Sequence, residues 1–434
     1  MKVTRNFSLL AALLIAGAAF VSCDKDLDIK DSDSGKTYKY SVSVKASMGE
    51  SSITKGILTP AVDGEGKNII DFEWEENDKI YAYTVAGDLI GEELGYLVAS
   101  NISGGSADFY GNLNFSTLPT AGEEIYLTNV PVDVLNEYES QNGTLSDIAK
   151  NFDISDANVS IESVNESSIK FSDATFESYQ AILKLSLFER DAEGGSGAKI
   201  NPTALTITYG GVDFTITGFN DDTYDENGNG IVYVPILGNN ASFSIYAEKG
   251  DAKYQLVAPG DIEITNGKFY EITANMPRYY SLTEVDDEKF VGYVVTSEGN
   301  VLLNKDHSDA AGWTIGAVVA HVDSELKAAI AIHDMGTVSH GEAAEALAET
   351  CTAVTGVTWE LLNYADFENM VGSNATTLSN YIEAAEGDKL LGNTYAMHDS
   401  KNKNFWYYVS IAANGTMSDG SDRNDHLVRP VFEF

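Results

Sequence analysis

The chain has 434 residues, 43% of them hydrophobic, and a formal net charge of −39. So large an acidic excess argues against nucleic acid or an anionic membrane surface as a partner, because both are met by basic patches. The apolar content is ample for packed cores, and at ~100–200 residues per domain the length predicts two to four domains. At the N-terminus, Lys2 and Arg5 precede a run from Phe7 to Phe20 that is apolar except for Ser8. This is the layout of a secretory signal peptide over residues 1–22, too short and wrongly flanked for a membrane span of ~20 residues. Residues 23–37 are polar and acidic and read as a flexible tether.

A period of two then sets in. Tyr40, Val42, Val44, Ala46 and Met48 face one way, and Lys39, Ser41, Ser43, Lys45 and Ser47 the other, as in a half-buried strand. Short strands follow as far as "EEIYLTNV", then an irregular stretch from Pro131 to Glu166. A second set of strands runs from Tyr179 to Pro277. Strands at ~8–12-residue spacing predict β-sandwiches, expected here at residues 38–150 and 151–280. After Thr283 the pattern changes. "GYVVTSEGNVLL" predicts a hairpin, "EAAEALAETC", "YADFENMV" and "TLSNYIEAAE" predict helices, and "NFWYYVSIAANGTM" and "LVRPVFEF" return to strand. Residues 284–434 therefore read as a separate α+β domain. The expected fold class is mostly β: two tandem β-sandwiches followed by that α+β domain.

The junction Phe20-Val21-Ser22-Cys23 resembles a bacterial lipobox, in which the cysteine thiol carries a diacylglycerol and becomes the new N-terminus. Acidic residues just beyond it (Asp24, Asp26 and Asp28) resemble a signal for export to the outer face. The reading implies lipid attachment at Cys23 and an outer-membrane location exposed at the cell surface, or in a fimbrium. Each buried CH₂ of an acyl chain contributes ~0.8 kcal/mol, so two or three chains hold firmly. An ordinary signal peptide cleaved near Ser22 is the alternative. With Cys23 lipidated only Cys351 is left, so no intramolecular disulfide is expected.

"TKGIL" followed by "FEWEENDKIYAY", with Trp74, Asp78, Lys79 and Ile80, is similar to the N-terminal domain of the fimbrillin-like lipoproteins. The resemblance covers roughly residues 38–280. It implies two tandem transthyretin-like sandwiches and a place among the stalk, anchor and tip subunits of lipoprotein-derived (type V) pili. Stalk subunits of that family are matured by an Arg-directed protease, yet here no arginine lies between Arg5 and Arg190; Lys45 and Lys55 are the kind of residue left. That departure speaks for a tip or stand-alone adhesin. The C-terminal region resembles a C-type-lectin-like module, of the major-paralogous type, often appended to such proteins. Its middle motif reads Trp359-Glu360-Leu361-Leu362 followed by Asp366 and Phe367, where the family has Trp-Arg-Leu-Pro. Any ligand role of that arginine is therefore in doubt, and Trp359 reads as core.

For ligand chemistry, "SDGSDRND" is the most interesting segment. Asp419, Asp422, Asn424 and Asp425 offer oxygen ligands of the kind Ca²⁺ prefers, close after Trp406. The same residue types are also the commonest turn formers, so a plain solvated turn competes with a cation or glycan site. "DENGNG" at 225–230 begins like a calcium loop but has Ile236 where a bidentate Glu belongs, and reads as a hairpin loop. His307, His321, His333 and His340 lack zinc-site spacing and read as surface or hydrogen-bonded residues. Cys351, at the end of an alanine-rich helix, reads as a core thiol.

No nucleophile elbow or phosphate loop stands out, and the late cysteine pair of formylglycine-generating enzymes is missing. A glycosidase's two acids can lie far apart in a chain, which leaves that class open to sequence reading. The expectation is a non-enzymatic surface lipoprotein without cofactor, Ca²⁺ aside. It would be an adhesin or pilus tip-type subunit whose C-terminal domain binds a glycan or a surface protein. The alternatives are a pilus anchor or minor subunit, with pilin subunits as partners, and a glycan-capturing lipoprotein of a nutrient-uptake system.

Overall fold

The structure, a computed structural model, describes residues 37–48, 57–62, 68–87, 89–132, 141–217, 219, 231–338, 341–398, 406–422 and 424–434. The signal-like segment, Cys23, nearly all of the tether, Lys55, "DENGNG" and His340 lie outside these residues. The described chain is mostly β, with its longer helices in the C-terminal third. It divides into two compact units. One takes in the described part of Met1–Lys184 with Tyr233–Asn239 and Glu263–Glu271. The other comprises Leu185–Val232, Asn240–Ile262 and Ile272–Phe434.

In the first unit the alternating strand Tyr38–Met48 sits inside a sheet. It pairs antiparallel with Ser106–Phe115 and parallel with both Ser168–Phe171 and Ala174–Ser178. Those last two strands also pair with Ser155–Val164, so the eight-stranded sheet closes on itself. Closure removes the unpaired edges that template aggregation. The inward residues build one core, in which Trp74 meets Phe109 edge-on at 4.9 Å and Phe176 at 5.7 Å. Large aromatic rings supply much of the burial in such a core.

The expected boundary at 150/151 does not fall there. Ser155–Val164, inside the stretch read as irregular, pairs with Glu124–Thr128 and completes the first sheet. Its inward positions are Ser155, Ala157, Val159 and Ile161, all buried. Small and polar residues at half of those positions mask the alternation that marks a strand.

In the second unit the boundary expected between 280 and 284 is bridged. Arg278–Ser281 is a strand that pairs with Ala252–Val257 on one side, through Lys253↔Tyr279, and with Asn300–Leu302 on the other, through Tyr280↔Val301. A single ten-stranded sheet thus runs from Val212–Ile216 to Val431–Glu433. The joint is packed as well as paired. Tyr279 meets Trp313 edge-on at 4.9 Å, and Gln255 Nε2 donates to the Ala311 carbonyl at 2.9 Å. His307, in the short helix Lys305–Ala311, places Nε2 3.2 Å from the Arg190 carbonyl. Residues 284–434 are therefore continuous with the β-region before them, where the sequence predicted a separate domain.

The expected hairpin forms from Val294–Thr296 and Asn300–Leu302. The three expected helices appear at Gly341–Ala348, Tyr364–Val371 and Ala375–Ala384. Asn363 caps the second by accepting from Asp366 N–H at 3.1 Å, satisfying a donor of the first turn. Trp359 is buried against Phe432 at 4.9 Å, and Cys351 is buried with its thiol pKa raised by desolvation, so both are core residues.

Candidate functional site

The predicted site residues fall on a hairpin and its exit. Trp406–Ile411 pairs antiparallel with Met417–Asp422, so Ser418–Asp422 is a strand where the sequence predicted a loop. Turn-type residues form this strand because register with a strongly apolar partner overrides their own preference. Val409↔Asp419 and Trp406↔Asp422 are opposing pairs. Asn424 and Asp425 follow in the exposed exit before His426–Leu427. Trp406, Asp419 and Asp422 thus lie on the hairpin strands, with Asn424 and Asp425 just beyond them. Among the described residues, no group of three or more His, Cys, Asp or Glu side chains is placed to hold a metal ion.

One face of the hairpin is anchored in the core. Val409 and Ile411 are fully buried, and Tyr395 stands opposite Val409 on the neighbouring strand. Beyond this apolar base the same face becomes polar. Asp419 is exposed and lies close enough to Tyr364 to raise its pKa, after burial and the hydrogen bond to Glu368. Tyr364 Oη donates to Glu368 Oε1 at 3.1 Å. Tyr407, 39% exposed, stands opposite Ser421 on that face. An exposed ring beside carboxylates and hydroxyls can stack on an apolar surface and accept hydrogen bonds from a hydroxyl-rich ligand. Tyr407, Tyr364 and Glu368 were not singled out by the sequence. The signal was the alternation of "WYYVSI", which puts Tyr407 on the same face as Val409.

The opposite face is closed by packing. Tyr408 stacks against His426 at 4.6 Å between centroids. Its hydroxyl lies where a side chain at Gly420 would go: a Cβ there would be 2.4 Å from Tyr408 Oη. Behind the hairpin, Arg429 donates from Nε to Asp334 Oδ1 at 2.7 Å, from Nη1 to the Ala331 and Ile332 carbonyls, and from Nη2 to the Asp388 carbonyl. Tyr395 Oη donates to the Lys389 carbonyl at 3.2 Å, and burial pushes the Tyr395 pKa to about 12. This network fixes the strand that carries the site's base.

The described histidines have separate partners. His307 is buried at the joint, His321 lies 2.8 Å from Asp323, and His333 lies 3.4 Å from Asp388. His398 pairs with Glu345. No helix among the described residues is long and apolar enough to cross a membrane.

No family model matches the sequence, and no curated protein matches it. Among solved structures, the chain is similar to a fimbrial protein from Bacteroides ovatus at 10% identity. That match spans 92% of this chain and 100% of the other, with a TM-score of 0.28. It is also similar to a fimbrial assembly protein from Parabacteroides distasonis at 11% identity, over 58% of this chain and 98% of the other, with a TM-score of 0.26. Scores this low transfer no functional residue.

Proposed function

We propose that the protein is a lipid-anchored surface adhesin, alone or at the tip of a pilus, that binds a glycan or surface protein through its C-terminal region. The observation that carries the reading is Cys23, set where the apolar run ends and the acidic run begins, ahead of a strand-built chain. The mechanism is display and contact. The face of the 406–422 hairpin that carries Asp419 and Tyr407, near Tyr364 and its partner Glu368, suits hydrogen bonding with a hydroxylated ligand. It offers hydrogen-bond acceptors and a ring.

The stalk-subunit role is disfavoured on two grounds. The stretch between Arg5 and Arg190 offers no arginine to an Arg-directed protease. The first described strand, Tyr38–Met48, is paired along both edges and carries four inward residues of the core, Tyr40, Val42, Val44 and Ala46.

The test is fractionation of cells making the Cys23→Ala variant, followed by shearing of the surface of cells making the tagged wild-type chain. Release of the variant from membranes is the expected result, and retention would remove the lipoprotein reading. A filament of repeated smaller subunits copurifying with the sheared tag would make the protein a pilus component. The lone chain would make it a stand-alone binder.

A further inference from the structure

The first unit turns an unusual face outward. Strand register sets it out in rows. Lys79 stands opposite Val98, Val98 opposite Tyr110, and Tyr110 opposite Ser43. In the next row Tyr81 stands opposite Tyr96, with ring centroids 6.2 Å apart and Lys79 Nζ 4.4 Å from the Tyr96 centroid. On the other side Ser100 stands opposite Asp108, and Asp108 opposite Lys45. The alternate residues Ile80, Leu97, Phe109 and Val44 are buried, which fixes the outward direction of this set. Tyr96 is 46% exposed and Tyr110 48%. Tyr96 lies diagonally from Tyr110 across adjacent strands, ~7–8 Å in such a sheet, so the three rings form one contiguous strip.

The charge of this strip is opposite to that of the chain. Lys45 and Lys79 flank it, and Lys39 lies on the same outward parity, against two carboxylates, Asp108 and, opposite Tyr83 in the row next to Tyr81, Glu93. The whole protein carries −39. A lysine held over a tyrosine ring also keeps that ring oriented.

We infer that this face, with Tyr81, Tyr96, Tyr110, Lys45 and Lys79 at its centre, binds an anionic polysaccharide such as a uronate polymer. Tyrosine rings on a flat sheet offer the apolar faces of sugar rings a surface at low entropic cost, while their hydroxyls reach the sugar's own. Spaced lysines match a carboxylate carried on some of the sugars. Nucleic acid is a poorer fit, because a phosphate on every nucleotide calls for a dense cationic track and is repelled by the rest of the chain. The site lies in the first unit and needs neither the C-terminal region nor surface display, so its failure and the failure of the adhesin reading are separable.

The test is titration calorimetry of the full chain with polygalacturonate, neutral dextran and single-stranded DNA. The wild type is expected to bind polygalacturonate, with at least tenfold weakening at 0.5 M salt, where charges are screened within ~4 Å. The Tyr96→Ala/Tyr110→Ala and Lys45→Ala/Lys79→Ala pairs are each expected to weaken binding at least tenfold, with unchanged melting temperatures showing that they are folded. Absence of binding, equal binding of dextran, tighter binding of DNA, or binding untouched in both folded double variants would each overturn the inference. Should the lysine pair unfold, the tyrosine pair and the salt dependence decide.

Discussion

Arg429 and Asp334 form a buried ion pair, Nε to Oδ1 at 2.7 Å, with the arginine side chain wholly out of solvent. Three backbone carbonyls, of Ala331, Ile332 and Asp388, take further N–H groups of the guanidinium. Arginine's planar fork can serve this many acceptors at once, and lysine's point charge cannot. Removing one member of such a pair costs about 3–5 kcal/mol, because the other charge and the carbonyls are left buried without partners. Arg429→Met should therefore destabilise the second unit by about that amount in urea denaturation. Arg429→Lys should be milder but clearly below wild type. A loss under 1 kcal/mol for Arg429→Met would mean that the network contributes little.

Gly312 ends the helix Lys305–Ala311 with φ of +76°, and a Cβ there would sit 2.9 Å from Val257 Cγ2. Gly356 has φ of +80° with nothing within 4 Å. The left-handed backbone costs a non-glycine residue ~1–2 kcal/mol at either position. Gly312→Ala should lose more than Gly356→Ala, since only the former must also displace Val257 at the joint. Equal losses would show that Val257 yields freely.

Two pH windows follow from the titratable groups. Asp323 is pulled down to about 2, first by the His321 side chain and then by the Leu326 and Glu325 amides. Glu284 is lowered by the Ser281 amide, which donates at 2.7 Å, and Asp388 by the Asp334 amide. Carboxyls depressed in the folded state bind protons more readily when unfolded. Their stabilisation is present above ~4 and lost as pH falls through the folded values. The melting temperature should fall below pH ~4, and Glu284→Gln should flatten that fall.

His307 acts higher. Burial lowers its pKa, so stability should also decline as pH drops below ~6.5, where the unfolded imidazole takes up a proton first. Both ring nitrogens face acceptors, Asn304 Oδ1 at 2.8 Å and the Arg190 carbonyl at 3.2 Å. A neutral ring has one N–H for the two, and these bonds oppose the effect of burial. A melting temperature that is flat from pH 7.5 to 5.5, or one that rises on acidification, would show that the hydrogen bonds win.

What the sequence disclosed depended on how strictly each element kept its period. Tyr38–Met48 alternates without a break and was legible at once, as were the helices with apolar residues three and four apart. Ser155–Val164 was missed because serine and alanine occupy half of its inward positions. Lys305–Ala311 was missed because seven residues give no helical period, although Asn304 and Gly312 are a good cap and stop. The acidic residues near 419–425 stood out by composition. That Met417–Asp422 is a strand follows from its register against Trp406–Ile411, and turn-type composition does not encode that. The outward tyrosines of the first unit were hidden for a related reason: Tyr81, Tyr96 and Tyr110 lie on three strands and become neighbours only through register. Arg429 sits in a stretch that reads simply as strand, and nothing local marks its burial.

The shared strand makes a prediction about where the chain can be cut. A fragment of residues 284–434 would lose Arg278–Ser281, the pairing partner of Asn300–Leu302, together with Tyr279 against Trp313 and Gln255 against Ala311. It would expose a strand edge and an indole, both of which favour association. The fragment should therefore melt well below the intact chain and tend to aggregate. A fragment extended back to Leu185 should recover most of the difference, because it restores Ala252–Val257 and Arg278–Ser281 as well as the Arg190 carbonyl that faces His307. Thermal scans of both fragments by circular dichroism beside the full chain decide it. A shorter fragment that stays monomeric and melts with the longer one would show that the C-terminal region is an autonomous domain and that the continuous sheet adds nothing to its stability.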